Sequence, residues 1–181
     1  MSVQPRLFTP ILIVGCLIII VNFAIRGSFG VFQIPVAEEF GWLRAEFSLA
    51  IAIQNLAWGI GQPIFGAIAD RYGTARVLLL SGLLYASGLA LTAVATSPLV
   101  LILGQGVLVG LGIAAGSFGI VLAAFARRVS AERRSFVFGL GTAAGSAGMF
   151  VFAPFSQALI ASYGWVDALF VMAATMLIVP L

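Results

Sequence analysis

Long uncharged stretches dominate this sequence. From Pro10 to Ile25 no residue is charged, and the whole stretch from Val77 to Ala126 is equally free of charge. A hydrocarbon core about 30 Å thick needs roughly 20 apolar residues per helix, so such runs are long enough to span it. The composition points the same way. Hydrophobic residues make up 62% of the 181-residue chain and charged residues 8%, against about half and about a quarter in soluble domains. Nine basic and six acidic residues cannot cover a water-facing surface. Lipid removes that requirement, and the chain is therefore expected to be an all-α, multi-pass membrane protein with the bilayer as its main partner.

The apolar runs are long and lack strict in-out alternation, which favours helices over a β-barrel. Six membrane helices are expected, at about 9–37, 46–69, 76–95, 98–126, 135–161 and 166–181, within the usual few residues. Short polar breaks at 38–44, 70–75, 96–97, 127–134 and 162–165 separate them. The first run is longer than a signal-peptide core, and no small-residue cleavage site leads into a polar chain. The sixth run rises only about 24 Å at 1.5 Å per residue, with no polar flank, so the sequence is expected to end inside a helix. Arginine placement sets the orientation. Arg6, Arg71, Arg76, Arg127, Arg128, Arg133 and Arg134 fall on one side, while Arg44 on the other lies among Glu38, Glu39, Glu46 and Asp167. The positive-inside rule then puts the N-terminus in the cytoplasm.

Histidine is absent and Cys16 is the only cysteine. No metal-ligand cluster, cofactor motif, Ser–base pair or nucleic-acid signature is present in the sequence, so an enzyme is not expected. The informative residue is Arg26. It follows about sixteen apolar residues, and the helix continues past it. A charge at that depth marks a function by default. Asn22 and Phe29 lie at helical spacing around it and Gln33 one turn further on, giving a partly polar, partly aromatic stripe. A guanidinium there suits bidentate pairing with a carboxylate; the alternative is an arginine snorkelling to the interface. Asn55, Trp58, Gly59, Gln62 and Gly66 form a second stripe, which reads either as amide-assisted helix packing or as the wall of a wet path. Gly106 with Gly110, Gly112 with Gly116, and Gly141 with Gly145 are spaced for close helix contact. Pro63 and Pro154 are expected to bend their helices.

The loop GAIADRYGTAR from Gly66 to Arg76 resembles the G-x-x-x-D-R-x-G-x-[RK]-[RK] signature of the major facilitator superfamily. Gly66, Asp70, Arg71, Gly73 and Arg76 match, and Ala75 replaces a usual basic residue. The resemblance implies the N-terminal six-helix half of a twelve-helix carrier, with its C-terminal half absent from this sequence, a midplane site and alternating access. It also implies that Asp70, Arg71 and Arg76 latch the cytoplasmic side. RGSFGVF from Arg26, FGWLRAEFS from Phe40, GLGTAAGSAG from Gly139, and then Ala153, Pro154 and the Tyr163-Gly164-Trp165 segment are similar to the monocarboxylate porter and oxalate:formate antiporter group. Two departures disfavour drug and sugar porters: Ile102 stands where many carry an arginine four residues before the Gln105-Gly106 glycine, and no carboxylate lies deep in the first five helices. What the resemblance implies is a plasma-membrane secondary transporter of small organic anions, monocarboxylates above all, working by proton symport or anion exchange. Arg26 would neutralise the substrate while Asn22, Phe29, Gln33, Asn55 and Gln62 line its path. A porter of a drug or neutral metabolite is the alternative, and a non-transporting membrane sensor a lesser one.

Overall fold

The computed structural model describes residues 10–126 and 129–178, and side chains within 13–177 of these. Every regular element among them is helical. Helix α1 spans Pro10–Ser28 and runs through a 3-10 turn, Phe29–Phe32, into α2, Gln33–Phe40. Helix α3 spans Arg44–Tyr72 and α4 spans Thr74–Ala93. The next apolar run is segmented into α5, Pro98–Leu101; a π-helical stretch, Ile102–Leu108; α6, Val109–Ala115; and α7, Phe118–Ala126. After a 3-10 turn at Ala131–Arg133 comes α8, Arg134–Ile178. Four stretches are long and apolar enough to cross a membrane: Ile13–Phe40, Thr74–Ala93, Pro98–Ala126 and Ala131–Leu177. Arg6, Arg127 and Arg128, and the last three residues on which the expected end inside a helix turns, lie outside the described residues.

Two glycines make the sharp breaks. A single residue, Gly73, separates α3 from α4, with φ 94° and ψ 143°. A Cβ there would touch nothing within 4 Å, so the demand is on the backbone, and glycine meets it without strain. Gly164, at φ 84° and ψ 165°, interrupts α8 and divides it into 134–163 and 165–178. The expected loop at 162–165 is therefore a one-residue break. Helix 98–126, expected to be continuous, is not. Each glycine weakens a helix by about 1 kcal/mol, and Gly104, Gly106, Gly110, Gly112 and Gly116 crowd this stretch. Its backbone ladder yields to tertiary packing, as a π turn and then a break at Gly116 and Ser117.

Those glycines let neighbouring backbones nearly touch. A Cβ on Gly110 would lie 2.7 Å from the Gln54 carbonyl oxygen, and one on Gly106 3.2 Å from that of Ala50. Gly141 and Gly145 face side chains instead, with Ile19 atoms at 3.4 and 3.2 Å. Helix α1 packs most extensively on α8, α3 on α6 and the π stretch, and α4 on α6 and α8. The main core gathers Ile25, Phe29 and Phe32 with Tyr85, Leu89, Leu101, Leu169 and Met172. At one end, Phe40 stacks on Trp42 (4.5 Å, 18°) and meets Trp165 edge-on at 6.0 Å. The Trp165 Nε1–H donates to Glu39 Oε2, tying the end of α2 to the break at Gly164.

Gly110→Ala should destabilise the protein by about 1–3 kcal/mol, the usual cost of overpacking, because its new methyl meets backbone. Gly139→Ala, on an open face with nothing within 4 Å, should be neutral or slightly stabilising. Thermal unfolding of both variants in detergent checks this, and equal losses would contradict it.

Candidate anion-binding site

Arg26 sits near the end of α1, where the helix continues without a break into the 3-10 turn. Its side chain is half-buried and turns toward α3. Nη2 donates to Asn55 Oδ1 at 2.9 Å, and Cζ lies 4.8 Å from the centroid of the Trp58 ring. Asn55 is itself oriented, because its Nδ2 donates to the Ile51 carbonyl at 2.9 Å. Both partners of the guanidinium are neutral. Among the described residues Arg26 makes no ion pair, and its Nε has no hydrogen-bond partner.

A cavity of about 300 Å³ opens beside this cation, lined by Arg26, Phe29, Gly30 and Gln33 on one wall and Phe47, Ser48, Ile51 and Gln54 on the other. None of these eight is acidic. Gln33 is steadied by a 3.5 Å bond from Nε2 to the Arg44 carbonyl. Phe29, only 3% exposed, forms an apolar wall. The chemistry is that of a small-anion site: one fixed positive charge, amide and hydroxyl groups around it, and an aromatic wall that limits size.

Of the residues expected at the site, Arg26, Asn55, Phe29 and Gln33 come together. Asn22 and Gln62 do not join them. Asn22 is 1% exposed and faces inward between helices. The Tyr85 hydroxyl donates to its backbone oxygen at 3.3 Å, and its Nδ2 lies 2.4 Å from where a Cβ on Gly116 would be. Axial rise explains this: four residues back from Arg26, about 6 Å along the same face, the side chain meets α4 and the break after α6. Gln62 lines a different cavity of about 200 Å³, together with Gly66, Ala69, Asp70, Ser117 and Gly119. That second cavity joins Gln62 to the signature loop. There Asp70, Arg71 and Arg76 are exposed, and Arg71 Cζ lies 5.4 Å from the Tyr72 ring.

Gln54 and Trp58 were not expected as site residues, yet the first lines the cavity and the second supports the guanidinium. Their signal was present. Phe47, Ile51, Gln54 and Trp58 recur at spacings of four, three and four, a helical face adjacent to the Asn55–Gln62 stripe.

Comparison with known proteins places this geometry. The profile of the major facilitator superfamily matches residues 15–181. Monocarboxylate transporter 13 of Rattus norvegicus is 34% identical over 152 residues, covering 84% of this chain and 35% of that protein. Monocarboxylate transporter 11 of Mus musculus is 33% identical over 141 residues, covering 78% and 30%. The probable sulfoacetate transporter SauU of Cupriavidus necator is 26% identical over 176 residues, covering 96% and 40%. The chain thus spans 30–40% of the length of these relatives. With its helical architecture, its signature loop and a family match that runs from α1 to the last residue, the chain belongs to the major facilitator superfamily.

Proposed function

We propose that this chain forms the N-terminal, six-helix half of a secondary carrier for small organic anions, with monocarboxylates as the main substrates. One observation carries the reading: Arg26 lies midway along an apolar stretch, beside a cavity, and among the described residues its partners are the neutral Asn55 and Trp58. A charge in such surroundings is costly. Neutral partners offset part of the cost without cancelling the charge, so the site keeps its attraction for an anion. A carboxylate partner within the chain would have closed it.

Several further observations support this reading. The relatives named above are called transporters of monocarboxylates and of sulfoacetate, which share an acidic group. The breaks at Gly73 and Gly164 divide α3 from α4 and cut α8 in two, which suits six crossings. The arginine-rich loops then lie in the cytoplasm with the N-terminus, in the plasma membrane. A second six-helix half would complete the central site, by the alternating-access logic of this superfamily. Among the described residues no acid lines the Arg26 cavity, so an acid that carries protons in a symport cycle would come from that second half; anion exchange needs none. Asp70, Arg71 and Arg76 act as the cytoplasmic latch. It works if its contacts form in one access state and break in the other, since only differential stabilisation shifts such an equilibrium.

Uptake of a labelled short monocarboxylate into vesicles tests this. Arg26→Gln should weaken apparent affinity about 10- to 100-fold, the worth of one or two charge-assisted hydrogen bonds, without loss of membrane insertion. Unchanged uptake would end the proposal. Asn55→Leu should cost less, about threefold to tenfold, because Trp58 still supports the guanidinium by a contact of about 0.5–2 kcal/mol. For the latch, Asp70→Asn should slow exchange between access states more than it weakens substrate binding. Wild-type turnover in that variant would remove the latch.

A further inference from the structure

Trp58, over whose ring the Arg26 guanidinium lies, also borders a space of its own. This cavity, of about 370 Å³, is walled chiefly by Ile19, Phe23, Trp58, Phe118 and Met149, with the exposed Ser146 at its edge. It draws on α1, α3, α7 and α8. Its surface is almost wholly apolar, and one of its two hydroxyls is already satisfied, Thr142 Oγ1 donating to the Phe138 carbonyl at 2.9 Å. The aromatic rings form a continuous edge-to-face array. Phe23 meets Trp58 at 6.4 Å and 82°, and Phe118 at 6.4 Å and 80°. Such arrangements are favourable in themselves and give the compartment firm walls.

We propose that this compartment receives the apolar tail of the same organic anion whose acidic head is held at Arg26. The inference rests on the anion-carrier reading above and narrows it to amphiphilic acids, with one acidic group and a branched aliphatic or aryl tail. Three features carry it. Trp58 is shared: the Arg26 guanidinium lies over its ring at 4.8 Å, and the indole also lines the apolar space, so head and tail sites meet at one side chain. Among the described residues none that lines the compartment is charged, so a second acidic group on the tail would be buried without a partner, which is strongly unfavourable. It is also larger than the polar cavity, about 370 against 300 Å³, and each methylene taken into it leaves water.

Competition against labelled propionate uptake into vesicles provides the test, using acetate, butanoate, 4-methylpentanoate, 4-methylpentanamide and oxalate. Apparent affinity should tighten about threefold to fourfold per methylene from acetate to 4-methylpentanoate. The amide has the same tail without the charge and should not compete. Ser146→Phe, which fills the compartment from its edge, should collapse the ratio of affinities between 4-methylpentanoate and acetate. Thr142→Leu provides a second filling variant should the first fail to fold. If all monocarboxylates compete alike, or oxalate surpasses them, the tail site is overturned, and lipid or further helices occupy the compartment. The anion reading itself would then survive. If neither propionate uptake nor competition by any acid is seen, both readings fall together.

Discussion

A guanidinium in the middle of an apolar helix has to be stabilised, and the kind of partner decides what the site can do. Translocon scales put arginine at a helix centre about 2.5–3.5 kcal/mol above neutral residues. At Arg26 one hydrogen bond to Asn55 and one aromatic face, Trp58, work against that penalty. A bond involving a charged group contributes about 1.5–3 kcal/mol and a cation–π contact about 0.5–2 kcal/mol. The two therefore make the residue tolerable while leaving its field largely intact. This is where folding energetics and function meet. The side chains that make the charge affordable also hold it beside a cavity.

The position of those partners depends on helix packing some distance away. Gln54 and Asn55 are adjacent on α3, one lining the cavity and the other holding the guanidinium. The Gln54 backbone is the surface against which Gly110 packs: a Cβ on that glycine would meet its carbonyl oxygen at 2.7 Å and its Cα at 3.1 Å. Gly106 does the same one turn earlier, against the Ala50 carbonyl. The small residues of the segmented fourth helix thus fix the depth and rotation of α3 relative to α6. A methyl group at Gly110 would push on the very turn that carries the site. The G-x-x-x-G spacing has no chemistry of its own, but it sets the register in which Asn55 reaches Arg26.

Much of this was legible in the sequence, and the failures have physical causes. The helices followed from uncharged run lengths, because lipid imposes a minimum span that few other patterns reach. Arg26 stood out because a lone charge in such a run has few explanations. Asn55 was found by stripe spacing on α3. Asn22 misled for the same reason that Arg26 informed. Helical spacing says which residues lie near one another, not which neighbouring helix each faces, and Asn22 proved to face Gly116 and Tyr85. Gln62 belongs to the stripe, but eleven ångströms or so of helix rise, about seven residues at 1.5 Å each, separate it from Asn55, enough to place it on another cavity. Gln54 lies one residue, about 100° of helix turn, from Asn55, and the Phe47–Ile51–Gln54–Trp58 face becomes a site wall only once the Arg26 cavity shows which side of α3 it borders. The π stretch and the break at Gly116 were invisible for a related reason. Glycine density says that a helix is soft, and only its neighbours decide where it gives way.

The arrangement around Trp58 also bears on the link between binding and movement in the proposed carrier. An acid that pairs side-on with the guanidinium needs two N–H groups, and Nη2 already donates to Asn55. Nη2 carries a second N–H and Nε has no hydrogen-bond partner, so an acid can pair beside the Asn55 bond, and by drawing the guanidinium toward itself it loads the tether between α1 and α3. Immediately after Arg26 the chain leaves α-helical geometry for the 3-10 turn Phe29–Phe32, whose poorer hydrogen bonding makes it the more yielding part of the helix. On α3, by contrast, the backbone is clamped by Gly106 and Gly110. A change in the Arg26–Asn55 tether would therefore be taken up on the α1 side, by the turn that carries Phe29 and leads into Gln33, two walls of the same cavity. The ligand would then favour whichever access state relieves that change, which is the differential interaction that a population shift requires. The clamped helix serves as the reference and the softer one as the responding element.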